Sequence, residues 1–173
     1  MDKIEFKKLL FKVAFCTMAC DGHIDEREIE EMKAMDKDTS YFGGVDLSEE
    51  LSKLVGAFSI KGAKVIEELF VTLRENKLNP IQELLILEVA IRIINSDSKH
   101  DDNELRFLHL LRGRLDLHNE TIRDRFGEIS LLNFNEEDGV GVFKSSETEF
   151  TRNMPLPEFA DLSSVLLDLG GKN

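Results

Sequence analysis

Apolar residues recur along most of the first 126 positions at the spacing of a helix face. Between residues 2 and 20, Ile4, Leu9, Leu10, Val13, Phe15 and Met18 fall near a period of 3.6, which predicts a helix with a wide apolar face. Asp2 stands at its N-cap position and Gly22 just past its end. A second helix is predicted from about Asp25 to Lys37, with Ile29, Met32 and Met35 inward, then a polar loop from Lys37 to Asp46 containing Gly43-Gly44. Ser48 is read as the N-cap of a third helix burying Leu51, Leu54, Val55 and Phe58. A fourth spans about Gly62 to Asn76 through Val65, Ile66, Leu69, Phe70 and Leu73.

Asn79-Pro80-Ile81-Gln82 is a strong start signal. Asn79 caps, Pro80 occupies the first helical position and Gln82 can reach back to complete a capping box. The helix it opens, to about Asn95, is apolar on nearly every side, the pattern of a bundle's buried centre. Asp101 to Arg114 reads as the next helix, and a short one begins near Asn119 with Ile122 and Phe126. After Gly127 the periodicity breaks. Residues 131–134 and 140–143 are read as short strands, and about 158–169 as a short helix behind Pro155 and Pro157.

The pattern is written twice. Asp21-Gly22-His23-Ile24-Asp25-Glu26-Arg27-Glu28 recurs as Asp97-Ser98-Lys99-His100-Asp101-Asp102-Asn103-Glu104, so 97 − 21, 101 − 25 and 104 − 28 all equal 76. Upstream, residues 10–15 lie over 86–91 and Met18 over Ile94. Downstream, Ile29 and Met32 lie over Leu105 and Leu108. Apolar run, acidic loop, apolar run reads as a duplicated helix–loop–helix unit. Val45-Asp46-Leu47 resembles Leu115-Asp116-Leu117 at an offset of 70, which extends the likeness past an insertion near Tyr41 to Gly44.

At 173 residues the chain suits one domain with a real core. Three prolines and an abundance of Leu, Glu, Lys and Ile favour helices. The expected fold is therefore all-α: a single-domain bundle of about seven helices, two helix–loop–helix repeats related by a pseudo-twofold. Its helical domain is expected over 1–127 (repeats about 4–58 and 80–126), with an extension at 128–173 packed on or trailing it.

Thirty-four acids against 22 bases give a net charge of −12, which argues against nucleic acid or an anionic membrane as partner and suits a cation or a basic protein. Lys3, Lys7 and Lys8 ahead of Leu9 to Cys20 look like a secretory signal. Lys12 interrupts that run, however, and the same pattern recurs at 86–96, so a folded helix of a cytoplasmic protein is expected. No stretch of about 18 uncharged apolar residues is present to span a membrane. Cys16 and Cys20, four apart on one helix, are unsuited to a disulfide. With His23 they would make a soft-metal site, against which stands the ordinary burial of small thiols.

The acidic stretch carries the chemistry. Asp25 with Glu28, and Asp101 with Glu104, have the form of capping boxes, and acids suit a first helical turn. Asp21 and Asp97 do not fit that account, because a negative charge at a helix C-terminus costs roughly 0.3–1 kcal/mol. A tight loop would bring Asp21 to the Asp25/Glu28 turn, where two carboxylates ~4 Å apart repel by about 4 kcal/mol at an effective dielectric of 20. Such a cluster takes up a proton or a cation. All-oxygen ligands favour Ca²⁺ or Mg²⁺ over Zn²⁺. The stretch is not an EF-hand, since Gly22 falls second instead of sixth.

Met18-Ala19-Cys20-Asp21-Gly22-His23-Ile24-Asp25-Glu26-Arg27-Glu28 resembles the signature of the TerB-like tellurite-resistance family, over roughly residues 4–126. The resemblance implies an all-helical fold of two such units. It also implies a divalent-metal site carried by Asp21, Asp25 and Glu28 and by Asp97, Asp101 and Glu104. The second copy departs from the signature where Ser98 replaces glycine and Asn95-Ser96 replace small apolar residues. The function implied is non-enzymatic, in tellurite resistance or stress response, through a protein partner that belongs to a membrane-associated complex. No direct membrane insertion, nucleic acid or small-molecule substrate is expected. The alternative is a metal-free acidic interaction module. A metal-dependent hydrolase ranks behind both, and no Ser, His and Asp set has local support for nucleophilic catalysis.

Overall fold

The computed structural model describes residues 1–20, 22–24, 26–38, 41–96, 101–129, 132 and 146–156. Within them the fold is an all-α bundle. Eight helices run in order: α1 (Lys3–Ala19), α2 (Glu26–Asp38), α3 (Leu47–Lys61), α4 (Lys64–Glu75), α5 (Pro80–Asn95), α6 (Asp102–Gly113), α7 (Asn119–Phe126) and α8 (Ser146–Asn153).

The helix ends follow the local chemistry. Asp2 accepts from Glu5 N–H at 2.8 Å while Glu5 accepts from Asp2 N–H at 3.0 Å, and Asn79 and Gln82 exchange the same pair of bonds ahead of Pro80. One start differs from expectation. The N-cap of α3 is Asp46, which accepts from Glu49 N–H at 3.1 Å, so the helix begins at Leu47 and Ser48 lies inside its first turn. A carboxylate in that place also suits the helix dipole better than a hydroxyl.

α1 and α5 form the centre and make the most extensive helix pair. From Leu9 to Cys20 every residue of α1 is buried except Lys12, and α5 is buried at Ile86, Leu87, Val89, Ala90, Ile91, Ile93 and Ile94. Thr17 tolerates this depth because its hydroxyl donates to Val13 O at 2.7 Å. The helix that follows each central helix crosses over: α2 lies against α5, and α6 lies against α1 as well as α5. Helix ends also recur at one spacing, since 95 − 19 and 102 − 26 both equal 76.

Aromatic pairs tie α3 to this centre and α4 to α6. Phe15 meets Phe58 of α3 at 5.6 Å, and Phe70 of α4 meets Phe107 of α6 at 5.8 Å. Phe42, in the stretch read as a polar loop, is wholly buried and stands edge-on to Phe11 at 5.5 Å and 85°. Such a pair adds about 0.5–1.5 kcal/mol beyond the area it buries.

α8 is an addition to the expected elements. It packs on α4 and α6, and Phe150 and Met154 join the common core. Of the strand expected at 131–134 only Leu132 is described, and its N–H donates to Ile129 O at 3.0 Å, a turn. The strand expected at 140–143 and the helix expected at about 158–169 lie outside the described residues.

Candidate functional site

The two junctions, α1 to α2 and α5 to α6, are where the acidic stretches fall. Asp21, Asp25 and Asp97 lie outside the described residues, as does His100. Glu28, Asp101 and Glu104 are described.

At the first junction α1 closes at Cys20, and Gly22 follows with φ +79°, its N–H donating to Ala19 O at 3.1 Å. A backbone with positive φ suits glycine. Glu28 is the third residue of α2, and only 2% of it is exposed. At the second junction Ser96 caps α5, its N–H and Oγ both directed to Ile93 O. Asp101 is the exposed N-cap of α6 and accepts from Asn103 N–H at 2.7 Å. Glu104, again the third residue of its helix, is 3% exposed.

Burial sets these two acids apart from Glu5, the exposed acid of the capping box at the start of α1. Glu28 and Glu104 are instead folded into the bundle. The amide dipoles of a first helical turn favour a carboxylate there. Even so, burying one is costly unless donors or a cation compensate. Among the described residues, no three His, Cys, Asp or Glu side chains converge as a metal-holding group. Carboxylates as a class are hard donors that suit Ca²⁺ or Mg²⁺ better than a soft ion; Glu28 stands at one junction and Asp101 and Glu104 at the other.

The cysteine alternative has less to offer. Cys16 and Cys20 are free and fully buried, and Cys20 Sγ donates to Thr17 O at 3.1 Å. Burial pushes the Cys16 thiol up to about 12, whereas His23 is exposed. A thiol so held stays protonated and is a poor ligand.

A second polar site escaped the sequence reading. Tyr41 donates to Glu88 Oε2, and Arg125 holds the other oxygen of that carboxylate at 2.7 Å. Arg92 pairs with Glu31 at 2.7 Å and lies 5.9 Å from the centre of the Tyr41 ring. The chain Glu31–Arg92–Tyr41–Glu88–Arg125 thus joins α2, α5, α7 and the loop before α3. The available signal was Glu88 and Arg92, which interrupt the apolar run from Leu84 to Ile94. Burial, then the Glu88 carboxylate, pushes the Tyr41 phenol up to about 12. It is a hydrogen-bond donor at neutral pH and no base. The open groove beside it, about 790 Å³, is lined by Phe6, Leu10 and Leu85 together with Lys7, Tyr41, Glu88 and Arg125.

The fold and these junctions define an all-helical protein with buried acids at its helix–loop–helix turns. Compared with family models, curated proteins and solved structures, the chain matches none.

Proposed function

We propose that the chain is a non-enzymatic divalent-cation-binding module of the TerB-like, tellurite-resistance and stress-response type, working in the cytoplasm through a protein partner. The observation that supports it is the burial of Glu28 and Glu104. They stand at the same place in the two copies of the acidic stretch, 104 − 28 = 76 residues apart, and each is turned into the bundle at the third residue of its helix. The proposed ligand sets are Asp21, Asp25 and Glu28 at the first junction and Asp97, Asp101 and Glu104 at the second, for Ca²⁺ or Mg²⁺. One unit written twice and related by a pseudo-twofold fits the crossed packing of α2 on α5 and α6 on α1.

A calorimetric titration of the metal-stripped protein with Ca²⁺ and Mg²⁺ tests this. A bound cation at 100 times its Kd stabilises by about 2.7 kcal/mol, so the wild type melts higher with Ca²⁺. Glu28→Gln and Asp21→Asn lose that rise. Flat heats with unchanged melting reject the reading. A metal-free acidic module that docks a basic protein is the second reading. It is favoured by the net charge of −12 and by Asp101 being exposed and engaged as a helix cap. It predicts binding to a basic partner that weakens with salt and ignores chelators.

A further inference from the structure

The segment Ser146–Leu156 lands on the first acidic junction. Phe150 and Met154 anchor it in the core, and Thr151 Oγ1 donates to Glu67 Oε1 of α4 at 2.5 Å. Beyond α8 the chain meets two glycines, both in the left-handed region. A methyl group placed on Gly22 (φ +79°) would stand 2.7 Å from Pro155 Cβ and 2.8 Å from its Cγ. One placed on Gly62 (φ +62°), which ends α3, would stand 3.6 Å from Leu156 Cδ1. Pro155 and Leu156 therefore bridge the α1–α2 turn and the α3–α4 turn. Gly127, which ends α7 with φ +73°, has nothing within 4 Å of the same position.

We propose that Ser146–Leu156 is a clasp on the first helix junction, holding Gly22, His23 and Ile24 in place, so that this loop opens only when the clasp lifts. A proline serves because its ring is rigid and orders with little loss of freedom. Glycine opposite it gives the ring room to approach. The clasp ties the first junction to the segment Ser146–Leu156. Where the first junction takes a cation, the clasp governs its entry and release, a consequence that rests on the reading above.

Hydrogen exchange on the full chain, with chelator present and no divalent ion, tests the clasp separately from any cation. In Pro155→Gly and in Thr151→Val/Pro155→Gly, the amides of Gly22, His23 and Ile24 are expected to exchange about tenfold faster while mid-α5 amides keep their rates. Unchanged loop rates, or α5 amides accelerating as much as the loop, overturn the proposal. A mutant cycle adds a second check. Gly22→Ala should lower the melting temperature less in the Pro155→Gly background than in the wild type, because the methyl then meets no ring. An equal drop in both backgrounds overturns the contact. With Ca²⁺ restored, flat calorimetry rejects the cation reading alone and leaves the exchange result to decide the clasp.

Discussion

Cys16 shows how placement sets the chemistry of one side chain. Enclosed in α1, its thiol is pushed up by burial from about 9 to about 12. The neutral form is therefore favoured by folding. That contribution is whole below pH 9 and is lost as pH rises from about 9 towards 12. Tyr41 acts in the same direction between about 10 and 12, from burial and from its bond to Glu88. Denaturant midpoints are expected to hold up to pH 9 and to fall above it, and less so in Cys16→Ala. At pH 8 neither thiol should react with a thiol reagent until the protein is unfolded, which a colorimetric assay in denaturant reads directly. Phe42 makes a comparable case among apolar groups. Its neighbours in sequence are polar or glycine, yet Phe42→Ala is expected to cost about 3–5 kcal/mol in denaturant unfolding, since it empties a filled site against Phe11.

The starts of the helices are the most legible elements. Asn79, Pro80 and Gln82 perform the roles their order predicts, because a capping box is a bargain among four consecutive residues. Asp46 and Ser48 show the limit of that legibility: both are good caps, two positions apart, and their neighbours in sequence do not choose between them. The structure selects Asp46, so Asp46→Ala should cost about 1 kcal/mol and Ser48→Ala only a few tenths, measured by thermal unfolding. α8 was not legible. Its eight residues are too few to show a helical period with force, and it is held by Phe150, Met154 and the Thr151–Glu67 bond to helices far off in the chain.

At the scale of the whole molecule, α1 and α5 share one role as the buried pair, and comparable energetics are expected of the two. Met18 and Ile94 occupy matching positions, 94 − 18 = 76, and both are buried. Met18→Ala and Ile94→Ala are each expected to cost about 2–5 kcal/mol, read from denaturant midpoints at constant slope. A large cost at one and none at the other would mean that only one of the two helices is central.

Residues a turn or two apart were enough to predict the first seven helices, most of their caps, and the placing of two acidic stretches at helix junctions. Tertiary structure alone decided which acids are sheltered. Glu28 and Glu104 are buried and Asp101 is exposed, although a capping pattern treats Asp101 and Glu104 alike. It also decided that Phe42 turns inward and that Pro155 closes on Gly22, 155 − 22 = 133 residues away. The physical reason is the same throughout. Hydrogen bonds at a helix end are made among near neighbours, whereas burial is conferred by whatever part of the chain arrives to cover a residue.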